Sequence, residues 1–419
     1  MRGFFKVQSV AQFTAILQGF LPLAHEEVDL VEVEGRILAQ DLLSPEDLPQ
    51  ADRSVMDGFA VRAQDTFGSG ESNPAYLELS ADLDITVNPD QELQPGQCMA
   101  IVTGGCLPPG ADAVVMIEHT ADMGGGTMEI RKSVAPGDNI MEQGEDAQQG
   151  KLALAAGTLL RPQEIGFLAA LGQERAVVHK QPRVGILSTG DELVEVGAEV
   201  RPGLVRDVNS HTLQALARRA GAKATRLGMV RDEESELRQA LEDALLGHDV
   251  VLLSGGSSVG VRDLTLDVIQ ALDSPDTPVE LLAHGVAVSP GKPLILATVG
   301  GKAVWGLPGQ VTSAQVVMQV FVQPFIRLLL GDAKAFDRKR RVTIRAVLSR
   351  NLPSKQGRED YVRARLEHGE QGGLPRAVPV LGRSGLLRTM LQAEGLIRIP
   401  EESEGLYQDT ELDFWLMGH

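Results

Sequence analysis

The chain has 419 residues, with 39 Lys+Arg against 57 Asp+Glu and a formal net charge of −18. That balance excludes a nucleic-acid binder held by overall charge, which needs a basic face, and excludes general adhesion to anionic membranes. Aromatic residues make up 4%, too few for base-stacking platforms, while 43% hydrophobic and 23% charged residues suit a globular enzyme of about three domains.

Residues 1–6 lack the sustained apolar core of a secretion signal. Residues 10–20 have helical spacing, 27–38 alternate, and the chain then turns at Pro45 and Pro49. Strands are expected at 58–61, 75–79, 98–102, 113–116 and 128–130, separated by Gly and Pro signals, which makes a small β-rich module. Its two cysteines, Cys98 and Cys106, exclude a disulfide framework and a cysteine-rich zinc site, and read as small reduced core residues. A short strand at 152–154 and a helix at 162–171 follow, with Pro162 suited to the first turn.

The middle of the chain alternates strands and helices. Residues 183–188, 224–230 and 249–254 read as buried strands, with further strands at 293–299 and 303–305. Ser210 is the expected cap of a helix ended by Gly221, Asp232 of a helix over 233–246, and Asp263 of one reaching 272. Residues 311–330 form a long helix; Gln319, Gln323, Pro324 and Arg327 interrupt its apolar run, so it reads as buried rather than membrane-spanning. The expectation is a soluble, cytoplasmic protein. From 342 onward five β-like runs, 342–347, 361–366, 377–380, 395–399 and 411–416, suggest a small barrel or sandwich. The fold class expected is multidomain α/β plus β, with a central doubly wound, mostly parallel sheet, N-terminal mixed and β-rich modules and a C-terminal β-barrel. The divisions expected are 1–48 with 147–180, an inserted 49–146, an α/β domain at 181–331, and 336–419.

Ligands on such sheets gather at the carboxyl ends of strands. Ser254-Gly255-Gly256-Ser257-Ser258-Val259-Gly260 follows a strand there, and its amides suit an anion, or simply a tight turn. It is not a P-loop, since Val261-Arg262 replaces Lys-Ser/Thr. It does contain G-x-S-x-G, so a serine hydrolase using Ser258 stays open, although Asp263, the expected cap, comes five residues after Ser258. Ser188-Thr189-Gly190-Asp191-Glu192 suits a hydrated divalent metal against a phosphate, or a surface turn. Asp232 has a complete explanation as a helix cap, yet three strand ends of one sheet carry Glu192, Asp232 and Asp263. Ser289-Pro290-Gly291-Lys292-Pro293 holds Lys292 between rigid prolines, suiting an oxyanion or a solvated turn. Gly306-Leu307-Pro308-Gly309 leads into Thr312 and Ser313, whose hydroxyls can cap the helix or bind an anion. In the first half Asp57, Thr103 and Asp146 stand at polar turns. Residues 331–365 hold 11 Lys/Arg against 4 Asp/Glu; Arg338-Lys339-Arg340-Arg341 reads mostly as a solvated linker, and Arg358 and Arg363, flanking Tyr361, suit an oxyanion better. The eight histidines show no ligand spacing.

Seven motifs occur in one order: Ser54-Val55-Met56-Asp57-Gly58-Phe59-Ala60-Val61, Val102-Thr103-Gly104, Gly144-Glu145-Asp146, Ser188-Thr189-Gly190-Asp191-Glu192-Leu193, Ser254-Gly255-Gly256 through Asp263, Pro290-Gly291-Lys292-Pro293, and Gly306-Leu307-Pro308-Gly309. With them the chain resembles, over nearly its whole length, the MoeA family of molybdopterin molybdenumtransferases, whose eukaryotic counterpart is the gephyrin E domain. The resemblance implies a MogA/MoaB-like central domain and an enzyme that cleaves adenylated molybdopterin to release AMP and inserts molybdate. It implies Mg2+ and a homodimer whose sites combine residues of two subunits. It implies catalytic roles for Asp263, Glu192, Asp57, Asp146 and Asp232, with Asp57, Glu192 and Asp263 as metal ligands. It implies substrate contacts from Thr103, Gly255, Gly256, Ser257, Lys292, Pro308, Ser313, Arg358 and Ser384. A molybdopterin adenylyltransferase and recipient molybdoenzymes are the implied partners, with no nucleic acid and no membrane. Two departures stand out: Ser289 where the family has Lys, and Gln310-Val311 where it has Asn-Pro. They imply an altered oxyanion site, with tungstate as an alternative to molybdate. A non-catalytic molybdopterin-binding scaffold is the second reading.

Overall fold

Ser9 opens the first helix of the structure, a computed structural model that describes residues 7–255, 261–369 and 372–418, with 261–263 described as backbone only. The Ser9 hydroxyl accepts from Gln12 N at 3.2 Å and the Gln12 side chain accepts from Ser9 N at 3.0 Å, a reciprocal cap for α1 (Val10–Gln18). Val10, Phe13 and Leu17, on one face at helical spacing, are buried. The helix belongs to the first of two compact units, formed by residues up to 27, 35–39 and 177 onward; the second holds 28–34 and 40–176.

The second unit is built on a six-stranded sheet. Its strands are β1 (Gly58–Val61), β2 (Ala75–Asp82), β3 (Gln97–Ile101), β4 (Ala113–Met116), β5 (Thr120–Asp122) and β6 (Thr127–Ile130), in the spatial order β4-β1-β3-β2-β6-β5. All four residues of β1 are buried, because its two faces pack on separate apolar groups. Phe59 and Val61 meet Leu77, Cys98, Val115 and Ile130, while Ala60 meets Ile101 and Val114. A short pairing of Arg53–Ser54 with Ile140–Met141 and helix α2 (Pro162–Ala170) complete what bears on the site.

The rest of the first unit is a doubly wound α/β body and a barrel. The body comprises β7 (Arg183–Thr189), α3 (Asn209–Arg219), β8 (Lys223–Val230), α4 (Glu234–Gly247), β9 (Val250–Gly255), α5 (Val261–Gln270), β10 (Val279–His284), β11 (Val288–Ser289), β12 (Ile295–Val299), β13 (Lys302–Leu307), α6 (Val311–Val317) and α7 (Gln323–Leu329). The sheet order is β8-β7-β9-β13-β12-β10. The first four strands are parallel; β12 runs antiparallel to both β13 and β10. Trp305, Phe13, Phe321 and Phe325 fill one side of the sheet; Leu237, Leu241, Val268 and Ile269 fill the other. Strand β10, absent from the sequence expectation, carries Val279, Leu281, Leu282 and Ala283 without a clean alternation, and only Ala283 is buried.

Between α6 and α7 the helix widens into a π-helical turn over Met318–Val322. Gln323 N donates to Met318 O there, and Pro324 has no N–H, so the carbonyls of Gln319 and Val320 lose their usual helical donors. Arg341 replaces them: its Nη1 donates to Gln319 O at 3.5 Å and its Nη2 to Val320 O at 3.1 Å, with the guanidinium 4.4 Å from the Trp415 ring centroid.

The C-terminal strands are β14 (Thr343–Leu348), β15 (Glu359–Glu367), β16 (Arg376–Pro379), β17 (Gly395–Ile399) and β18 (Glu411–Leu416), with helix α8 (Leu387–Leu391) between β16 and β17. They close as β15-β16-β14-β18-β17 and back to β15, around Leu348, Ala364, Ile397, Ile399 and Phe414. The short β11 adds a parallel strand outside the ring, Ser289 opposite Asp360. In the basic run Arg338, Lys339 and Arg340 are exposed, as a mostly solvated linker would be, but Arg338 also donates to Glu359, Arg340 pairs with Asp332 at 2.7 Å, and the half-buried Arg341 caps the π turn. No helix among the described residues is long and apolar enough to cross a membrane.

Candidate active site

The parallel register brings four strand ends level: Thr189 stands opposite both Val230 and Gly255, and Ser254 opposite Leu307. Past these ends the polar side chains interlock. Thr189 Oγ1 donates to Asp232 Oδ1 at 2.5 Å, and Asp232 N donates to Asp191 Oδ1 at 3.3 Å. Asp232 is therefore not the cap of α4. Glu233 occupies that position without a side-chain capping bond, and the Asp232 carboxylate turns to the end of β7. Glu192 folds back over Gly190, its Oε2 2.6 Å from where a Cβ on Gly190 would stand. Gly190 has φ +154°, so no other residue gives the chain this path without strain.

Helix α3 is seated by the same edge. Asp207, buried, accepts from Ser188 Oγ at 3.0 Å and from Ser210 N at 3.1 Å; Ser210 is not the cap but lies in the first turn after Val208, and Asp207, one residue before Val208, satisfies its amide. Asn209, also buried, donates through Nδ2 to Ser254 Oγ and to Gly309 O, both at 2.8 Å. Asp263 lies within α5, as its described residues Val261–Gln270 show, and so is not its cap. The Asp263 side chain, and Gly256, Ser257 and Ser258, lie outside the described residues. Gly255 closes β9.

A second cluster forms where the α/β body meets the barrel, within the first unit. A Cβ on Gly291 would touch Val317 and stand 3.9 Å from Ser313 O, so the Lys292 turn lies along α6. Lys292 is exposed and, among the described residues, has no ion pair. Pro308, in the turn after β13, and Ser313, near the start of α6, are buried. Thr312 donates from its N and its Oγ1 to Ser384 O, at 3.1 and 2.7 Å; its hydroxyl neither caps α6 nor is free for an anion. The two arginines differ. Arg358 is committed to buried Asp360, with Nε to Oδ1 at 2.8 Å and Nη2 to Oδ2 at 3.1 Å. Arg363 has no carboxylate partner among the described residues. Its Nη2 donates to Gly382 O, two residues before Ser384, at 2.9 Å, and its Nη1 is buried without a partner. Burial pushes its pKa down, as expected of an uncompensated cation. Sequence spacing alone left Arg358 and Arg363 equivalent; their partners separate them, since Arg358, just before β15, pairs with Asp360 while Arg363, inside it, has among the described residues only the Gly382 carbonyl.

In the second unit, Asp57 Oδ1 accepts from Thr103 N at 2.6 Å and from Thr103 Oγ1 at 2.8 Å. These two bonds hold the exposed carboxylate below its ordinary range and leave Oδ2 available. Gly104 N donates to Ser54 O, which ties the two turns together. Asp146 is exposed on the loop after Ile140–Met141, the strand paired with Arg53–Ser54. Among the described residues no three His, Cys, Asp or Glu side chains gather as a metal site.

Comparison with known proteins adds three regions of likeness. Residues 8–172 match the MoeA N-terminal region (domain I and II), 185–328 a probable molybdopterin binding domain, and 345–417 the MoeA C-terminal region (domain IV). The chain is 33% identical to a putative molybdopterin biosynthesis protein of Methanocaldococcus jannaschii, over 94% of this chain and 92% of that one. It is 33% identical to molybdopterin molybdenumtransferase 2 of Mycobacterium tuberculosis, over 93% and 94% of the two chains. The crystal structure of a molybdopterin biosynthesis MoeA protein from Pyrococcus horikoshii superposes with a TM-score of 0.82 at 30% identity, covering 98% of this chain and 100% of that one.

Proposed function

The chain belongs to the MoeA family, and from that membership we propose that it is a molybdopterin molybdenumtransferase of molybdenum cofactor biosynthesis. The observation that carries this reading is the likeness to a named molybdenumtransferase along more than nine-tenths of both chains. In the proposed reaction, water attacks the phosphoanhydride of adenylated molybdopterin, the P–O bond breaks, and AMP and the pterin phosphate separate. The pterin dithiolate and molybdate then take up two protons, one oxide leaves as water, and two Mo–S bonds form.

On this reading Glu192, Asp232 and Asp263 act at the phosphate side of the strand edge, with Gly255, Gly256 and Ser257 offering the anion-binding turn. Asp57, Thr103 and Asp146 act from a second copy of the chain in a homodimer. Their donors fit Mg2+: hard carboxylate oxygens, of which Asp57 keeps one unbonded, and magnesium is usually held by one or two carboxylates with phosphate oxygens completing its shell. Asp57, Glu192 and Asp263 are the residues that would hold it. When bound, the ion neutralises charge on the leaving phosphate. Lys292, Pro308, Ser313 and Ser384 form the oxyanion side, and Arg363 is a better-disposed cation there than Arg358. Ser289 in place of Lys lowers the positive charge of that side and leaves tungstate as a possible substrate. A cytoplasmic location, an adenylyltransferase as supplier and molybdoenzymes as recipients complete the proposal.

The test is incubation of the chain with adenylated molybdopterin, magnesium and molybdate. AMP release that Asp263→Ala abolishes supports the transferase. Tight molybdopterin binding with no AMP supports a scaffold instead.

A further inference from the structure

We propose that Asn209 is a positioning residue that couples the two halves of the proposed reaction, joining the nucleotide side of the site to the oxyanion side within one subunit; the inference rests on the transferase reading above. The Asn209 amide is buried, and its two protons are divided between the sides. One goes to Ser254 Oγ at the end of β9, the other to the carbonyl of Gly309 in the turn that leads to Ser313, each at 2.8 Å. Its own Oδ1 has no partner among the described residues, so the amide is held there by those two bonds and by the seating of α3. That seating is itself fixed at the strand edge, through Ser188 to Asp207 and Asp207 to Ser210 N. From Gly309 the connection continues three residues on, where Thr312 binds Ser384 O twice.

The two ends of this link are unequally supported. Ser254 is fixed by strand neighbours on both sides, Ser188 and Leu307. Gly309 lies beyond the last rung of β13, in a turn with no ladder of its own. Cutting the link therefore leaves the phosphate side in place and releases the turn that carries Pro308 and leads to Ser313. A coupling between sites is a free energy shared by both, and a residue that carries it changes the balance of the two activities rather than their common level.

The readout is the ratio of molybdenum bound to AMP released, measured on the full chain with adenylated molybdopterin, magnesium and molybdate. In Asn209→Ala the ratio is expected to fall by about fivefold or more, with the half-saturating molybdate concentration rising. Ser254→Ala removes the other anchor of the amide, keeps the strand, and is expected to move the ratio in the same direction; it decides the matter if Asn209→Ala does not fold. A purely structural asparagine lowers both activities together, so a ratio equal to wild type in the folded variants overturns the proposal. Wild-type chain that releases no AMP overturns the transferase reading instead.

Discussion

Gly190 shows how one position constrains a whole turn. Its positive φ and the Glu192 carboxylate packed over it leave no room for a methyl group without strain and displacement. Gly190→Ala is expected to cost about 1 kcal/mol of stability and to lower AMP release more than tenfold, because Glu192 leaves the strand edge. Normal release with a normal melting temperature would show that Glu192 acts elsewhere. The glycine and the acids were legible in the sequence; the use of Asp232 was not. An acid just before a helical run looks like a cap whatever it does, and only the 2.5 Å bond from Thr189 tells the two apart. Ser210 misleads in the same way, since the residue that binds its N–H stands three positions earlier.

Among the elements, those with simple patterns were read directly. Strands β1 and β4 are short apolar runs between turn signals, and β18 alternates. The π turn was illegible, because a helix buried on nearly every side has no clear polar face whose drift could report an extra residue per turn. Its cause, Pro324, was visible; its remedy, Arg341, sat in a run of four cations that looked solvated. Arg341→Met should leave two buried carbonyls unpaired and lose the contact with Trp415, costing about 2 kcal/mol. Urea unfolding checks this. An unchanged midpoint would mean that water satisfies the turn equally well.

For the molecule as a whole, the acidic balance hides a concentrated positive tract that is tied up internally. Glu359, almost fully buried, accepts from Arg398 at 2.6 and 3.1 Å, from Arg338 at 3.1 and 3.2 Å, and from the Tyr361 hydroxyl at 2.6 Å. Burial works against its ionisation, yet Arg398, Tyr361 and Arg338 hold its pKa below the ordinary 4.5. A depressed carboxylate stabilises fully above its unfolded value and loses that contribution as pH falls through the folded one. Stability should thus decline below pH 4.5 in the native chain. Glu359→Gln should lose that acid limb and be about 3 kcal/mol less stable near neutrality, with two arginines left uncompensated. Melting temperature against pH measures both. The strand that hugs the outside of the ring, Val288–Ser289, has one more consequence. Anyone splicing the C-terminal fifth of one relative onto another at the obvious joint near residue 336 would leave a stave of the cask behind. Val288–Ser289 would stay with the host while Glu359–Asp360, its pairing partners, came from the donor, so such chimaeras need both segments exchanged together.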